Sequence, residues 1–346
     1  MIYNNIEFFN VEELRPVDGL PGLRMYRYPL ALAETLGESW QHNARFRAQR
    51  AHGCELRFVT EARCFDLAVT AYEAPIDVQI FRGDRLLQKN TLEAGITSHI
   101  HVDLPPMEEN VDPALHTGKR FPSKVWRILF GVNGYLHFNH LDTYGWPCRP
   151  PHAEEEPETR WLAYGSSITC GHVVTLYTNA YIYQAARRLG WDVLNKGVSG
   201  SCFCEPQIGD FLSKQPLDYM TLELGVNMAP SFTPEQYAAR VEHLLSTVRN
   251  NKKVKQFFVI DSFPCYGAWH KDVSLPAARN YIPFKQITRS LTEKEAATDH
   301  RFVSLHGEDL MPDTTCLSCD LLHPSDEGHI MIGQALAESI RNHLTE

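Results

Sequence analysis

Positive charge is in short supply in this sequence. Its 33 lysines and arginines face 42 aspartates and glutamates, a net charge of −9. A nucleic-acid partner is therefore not expected, because phosphate binding needs clustered basic surface. No apolar run approaches the roughly 20 residues that span a bilayer, so no membrane partner is expected either. The opening residues, Met1-Ile2-Tyr3-Asn4-Asn5, lack the basic segment and apolar core of a secretory signal. The 9 cysteines are odd in number and follow no framework spacing, which argues for free thiols in a reducing compartment. Together these absences predict a cytoplasmic protein.

What is present is ordinary globular composition, 43% hydrophobic and 22% charged, over 346 residues. That length exceeds one ordinary core and suits two. Residues 1–150 read as β-rich. Phe65 to Tyr72 and Ile76 to Phe81 alternate in polarity, and Gly83-Asp84 turns into Arg85 to Gln88, which predicts a hairpin. Ser98 to Leu104, Val125 to Phe130 and Tyr135 to Leu141 are further strand candidates. Short strands separated by Gly, Pro and Asn turns predict an all-β sandwich of jelly-roll type. Alternation turns His99, His101 and Asp103 outward and Ile100, Val102 and Leu104 inward, so surface histidines explain this segment better than a metal site. The same rule turns His137 and Asn139 outward.

A proline-rich acidic stretch, residues 151–159, follows as a linker. In 160–346 the rhythm becomes strand, helix, strand, helix, which predicts a parallel sheet covered by helices on both faces. Thr233-Pro234-Glu235 starts one helix with an N-cap, a proline at the first helical position and an acid in the first turn. Ser325-Asp326-Glu327 starts another, whose apolar face is Ile330, Ile332, Leu336 and Ile340.

Chemistry-bearing residues gather where those strands end, the usual place for active groups in such sheets. The first strand runs into Gly165-Ser166-Ser167, the second into Asn195-Lys196-Gly197-Val198-Ser199-Gly200 and the third into Glu223-Leu224-Gly225-Val226-Asn227. Asp320-Leu321-Leu322-His323 precedes the last helix. An aspartate three residues before a histidine can hold one ring nitrogen while the other faces a serine. The four segments, in this order, resemble the signature blocks of the SGNH (GDSL-type) hydrolases over residues 160 to 346. The resemblance implies a flavodoxin-like three-layer α/β/α domain and a serine esterase. It implies a catalytic triad of Ser167, Asp320 and His323, and an oxyanion hole made by Ser167, Gly200 and Asn227. Ser166 and Met228 stand where the family usually has aspartate. The Gly-x-Ser-x-Gly elbow of the α/β-hydrolases is absent.

A β-sandwich before such a domain is similar to the layout of some carbohydrate esterases. That comparison, by architecture alone, implies a small-molecule or acetylated carbohydrate substrate. An acyltransferase using the same triad, and a carbohydrate-binding protein with an inactive hydrolase domain, are the alternatives. No metal and no organic cofactor is expected, and a homo-oligomer is compatible with the sequence. Cys202 and Cys204, with Cys316 and Cys319, flank the expected site and are read as free thiols rather than zinc ligands. Phe263, Tyr266, Trp269 and His270 follow a strand end and either stack on a sugar ring or cover the core.

Overall fold

A computed structural model describes residues 1–110 and 120–345. The chain divides into two compact units, one of Met1–Leu30, Ala48–Glu158 and Gly190–Leu194, the other of Ala31–Arg47, Thr159–Leu189 and Asn195–Glu346.

The first unit is built from two antiparallel sheets. One runs in the order Ile2–Tyr3, Ile6–Phe9, Glu55–Thr60, Val125–Phe130, Ile76–Arg82, Arg85–Leu92, with Cys148–Arg149 also pairing to Glu55–Thr60. The other runs Glu13–Val17, Leu20–Tyr26, Tyr135–Asp142, Cys64–Tyr72, Thr97–Asp103. Both contribute to one apolar core, with Phe58, Trp126, Ile128 and Ile80 from the first sheet and Leu67, Val69, Val102 and Phe138 from the second. The expected hairpin is present. Arg82 pairs with Arg85 across Gly83-Asp84, and Gly83 takes the positive φ of 60° that such a two-residue turn requires.

In the first sheet, Val125–Phe130 is buried at all six positions. Its core face is apolar, and its other face carries Arg127 among buried charges. Arg127 grips Glu55 through two bonds of 2.7 and 2.9 Å, and Arg57 grips Asp192 through two of 2.7 and 2.8 Å. Burial opposes ionisation of Glu55, but Arg127 and Arg57 outweigh it and hold that carboxyl down at about 2.

Along Thr97–Asp103 the alternation holds: His99, His101 and Asp103 are exposed, Ile100 and Val102 buried. His101 is bracketed by Asp66 at 2.6 Å and Asp103 at 3.2 Å. His137 departs from the expectation that it faces water, being 1% exposed. The Leu20–Tyr26 strand pairs alongside it and Pro21 meets its Nδ1 at 2.9 Å, while the Tyr72 ring closes over it. Alternation assigns a face of the sheet; whether that face is wet depends on what lies over it.

The parallel sheet runs in the order Asp192–Asn195, Arg160–Tyr164, Tyr219–Glu223, Gln256–Ile260, Phe302–Leu305, and its last four strands in this order belong to the second unit. Numbered along the chain this is 2-1-3-4-5, the flavodoxin-like order. Tyr219–Glu223 is buried throughout, and Trp161 to Tyr164 and Phe257 to Ile260 are buried too, as strands covered on both faces must be. The helix over Pro234–Val248 starts as its sequence predicts. Thr233 Oγ1 accepts from the Gln236 amide, and the Gln236 side chain accepts from the Thr233 amide. In the closing helix Asp326–Thr345, Ile332, Leu336 and Ile340 are buried, and Ile330 is half-buried. In this strand order the direction of winding reverses between Arg160–Tyr164 and Tyr219–Glu223. The loops that follow those two strands are thus neighbours.

Candidate active site

The loop after Arg160–Tyr164 turns sharply through Gly165 into the short helix Ser167–Cys170. Only glycine fits at 165. A Cβ there would collide with the Thr169 hydroxyl and come within 2.6 Å of the Glu223 carboxylate. The Ser166 side chain accepts from the Ile168 amide at 3.1 Å, and the Ser166 amide donates to Glu223 Oε2 at 2.6 Å. Ser167 is thereby left at the tip of the turn, 6% exposed.

Its Oγ lies 2.7 Å from His323 Nε2, and His323 Nδ1 lies 2.6 Å from Asp320 Oδ2. The turn at Asp320-Leu321-Leu322-His323 makes this possible. Leu321 adopts the left-handed conformation (φ 55°), so Asp320 Oδ1 accepts from the amides of Leu322 and His323, both at 2.9 Å, and from the Ser318 hydroxyl at 2.8 Å. The second carboxylate oxygen is then free to hold the imidazole. Burial resists ionisation of Asp320, but the bonds from His323, Leu322 and Ser318 prevail and keep it well below the usual carboxylate range. A hydroxyl, an imidazole and an ionised carboxylate in series can move a proton off Ser167 and stabilise the cation that results.

Gly200 and Asn227 line one cavity. Gly200 has a φ of 65° and open space where a Cβ would stand. Asn227 Oδ1 accepts from the Cys202 amide at 3.1 Å, which fixes the orientation of the carboxamide and leaves Nδ2 as the end that donates. The structure thus brings Ser167, His323 and Asp320 into one hydrogen-bonded chain, and Gly200 and Asn227 to one cavity. Residues 163–330 match the GDSL-like lipase/acylhydrolase family.

Solved structures extend the likeness beyond those residues. A salicylyl-acyltransferase from a tetracycline biosynthetic pathway is 14% identical with a TM-score of 0.80, over 98% of this chain and 95% of that one. A family two carbohydrate esterase from Clostridium thermocellum, solved with cellohexaose, is 15% identical with a TM-score of 0.61, over 85% and 93%. An acetyl xylan esterase from the rumen bacterium Butyrivibrio proteoclasticus is 13% identical with a TM-score of 0.55, over 85% and 90%. At such identities the likeness is one of fold. No curated protein matches the chain by sequence.

Other residues near these loops sort themselves physically. Phe263 is buried and packs on Tyr181, so it belongs to the core. Tyr266 lines the cavity, and Trp269 is 51% exposed. All nine cysteines are free thiols. Among the described residues, the one grouping of Cys, His and acidic ligand atoms within 4.8 Å of one another is Cys64, His101 and Asp103. Cys202, Cys204, Cys316 and Cys319 form no such cluster.

Two contributors around this site are not singled out by any motif. Ala31–Arg47 belongs to the second unit, where Gln41 donates to the Gly200 carbonyl at 3.4 Å and accepts from the Ser201 hydroxyl at 3.4 Å. Trp40 in the same segment packs on Phe203 and Phe232, and the Gly37 amide donates to Glu205 at 3.3 Å. The second contributor is Glu223, fully buried beneath the nucleophile turn, whose Oε2 takes both the Ser166 amide and the Thr169 hydroxyl. Among the described residues its Oε1 has no hydrogen-bond partner. Burial pushes the Glu223 carboxyl above its ordinary range despite those two bonds. The one hint in the sequence is an acid closing an apolar strand.

Glu223→Ala would strand the Ser166 amide, and should cost about 1–3 kcal/mol of stability along with esterase activity. Glu223→Gln keeps an acceptor in place and should restore most of both, as read by thermal unfolding and ester hydrolysis. Glu205 gives a pH signature. Burial raises its carboxyl from 4.5 to about 7. The folded state therefore holds this proton more tightly than the unfolded state, and the contribution is complete below pH 4.5 and lost as pH rises to about 7. Glu205→Gln should remove that slope and stabilise the protein by up to about 3 kcal/mol at pH 8, measured as the wild-type-to-variant difference in urea unfolding across pH.

Proposed function

We propose that this chain is a serine esterase that cleaves O-acyl esters of a carbohydrate or another small alcohol through an acyl-enzyme on Ser167. The observation that carries this reading is the chain Ser167 Oγ to His323 Nε2 to Asp320, with both links at 2.7 Å or less. In the first half-reaction His323 takes the Ser167 proton as Oγ bonds to the ester carbonyl carbon. The same proton then passes to the alcohol oxygen as the carbon–oxygen bond breaks. Water enters by the same route in reverse, giving the acid and free Ser167. Asp320 orients the imidazole and balances its charge. The amides of Ser167 and Gly200 and the Asn227 side chain are the donors proposed for the oxyanion. Every step uses groups of the chain itself.

The carbohydrate alcohol is supported by the fold shared with the family two carbohydrate esterase and the acetyl xylan esterase. Acetyl, the acyl group expected from domain layout, is the smallest member of the class proposed. Transfer to an alcohol acceptor in place of water is the second reading, favoured by the salicylyl-acyltransferase, which matches this chain almost end to end. The free thiols support a reducing, cytoplasmic setting.

Ser167→Ala should abolish both hydrolysis of p-nitrophenyl acetate and labelling by a fluorophosphonate; unchanged hydrolysis by that variant would sink the assignment. Asn227→Ala should lower kcat by about 10²–10³-fold, the usual effect of losing one oxyanion donor, with labelling retained but slowed. Product analysis with an added alcohol separates hydrolysis from transfer.

A further inference from the structure

The cavity that Gly200 and Asn227 share is larger than an acetyl group needs. Its volume is about 170 Å³, and beyond those two residues it is walled by Ala229, Cys265, Ala277, Tyr281 and Phe284, with Leu322 beside His323. Ala229, Cys265, Tyr281 and Phe284 are each no more than 7% exposed, so these walls are fixed parts of the fold. An apolar cavity of about 150 Å³ in a protein core takes up benzene, and a methyl group fills only a small part of that space.

Two of the hydroxyls in the lining are already engaged with the protein. The Ser262 hydroxyl donates to the Leu224 carbonyl at 3.2 Å, and the Tyr281 hydroxyl to the Phe263 carbonyl at 3.4 Å. Burial keeps the Cys265 thiol protonated. The donors left to the cavity lie at the Gly200 and Asn227 end and at Tyr266, whose hydroxyl is the one further polar group among otherwise apolar walls. A ligand suited to this distribution has one carbonyl oxygen joined directly to an apolar body.

Of the two substituents on an ester carbonyl, the alcohol oxygen must reach His323 to be protonated, and a sugar alcohol brings hydroxyls that these walls would leave unpaired. The acyl group has neither need. We infer that the cavity is the acyl pocket and that it selects a ring-sized acyl group, aromatic or branched, over acetyl. This inference rests on Ser167 being the nucleophile, and deepens that reading by naming the acyl class.

The test is a series of p-nitrophenyl esters with the leaving group fixed and the acyl group varied through acetate, isobutyrate and benzoate, using the full chain. Each kcat/KM is divided by the uncatalysed hydrolysis rate of the same ester. Benzoate should exceed acetate by at least about 10-fold, since each well-packed carbon contributes severalfold or more. A normalised rate that falls from acetate to benzoate overturns the inference while leaving the esterase reading intact. Ala277→Leu, at a half-buried position in the first turn of the helix Pro276–Ala296, should lower the benzoate-to-acetate ratio by about 10-fold. An unmoved ratio, or a change instead in preference among acetates of different alcohols, assigns the cavity to the alcohol and also overturns it. No hydrolysis of any ester together with no fluorophosphonate labelling would remove the nucleophile reading beneath it. If the variant does not fold, the wild-type acyl series decides alone.

Discussion

The Gly165-Ser166-Ser167 turn is held by a carboxyl group with no access to water, and the arrangement around it follows from that. Glu223 closes the central strand Tyr219–Glu223 and takes the Ser166 amide and the Thr169 hydroxyl on one oxygen. The Thr169 hydroxyl in turn meets the Tyr181 hydroxyl at 2.7 Å. Gly165 must be glycine because the same carboxylate and Thr169 occupy the space of its Cβ. With these contacts in place Ser167 has little freedom of position, and preorganisation of that kind lowers what the reaction must spend on orienting groups. The family's usual aspartate is absent at position 166, and here a carboxyl from the neighbouring strand anchors the turn.

The imidazole side is built differently. Asp320 is held by its own loop, through two backbone amides and a serine hydroxyl, and its side chain is 43% exposed. Exposure weakens each charge interaction by solvent screening, and the number of donors on one carboxylate compensates. One side of the site is thus fixed by burial and the other by a self-contained turn. The side proposed for the oxyanion has a third device, the Asn227 carboxamide oriented by the Cys202 amide, with Gln41 at the carbonyl of Gly200. Gln41 is remote in sequence from everything it touches there.

Much of this was legible beforehand, for identifiable reasons. The strands of the parallel sheet are buried on both faces and read as apolar runs, while Thr233-Pro234-Glu235 carries a helix start in its own side chains. Ser167, Asp320 and His323 were named because four strand-end segments, in their order, resemble the SGNH signature blocks. His137 is not turned to water, because periodicity says nothing about the Pro21 carbonyl and the Tyr72 ring that meet its imidazole. Glu223 drew no role from the sequence, since a lone acid closing a strand is usually solvated. Ala31–Arg47 offered no signal at all, because its membership of the second unit consists of long-range contacts through Gly37, Glu38, Trp40 and Gln41.

By itself, then, the sequence determined the alternation of elements and which residues stand in the loops where the strands end. Both are properties of short segments, set by side-chain period, caps and turn chemistry. Only the tertiary structure decided the distance from Ser167 to His323, the burial that raises Glu223, and the volume and lining of the cavity beside Asn227. Those quantities depend on residues 54 to 156 positions apart being packed against one another, and packing of that kind leaves no period in the chain.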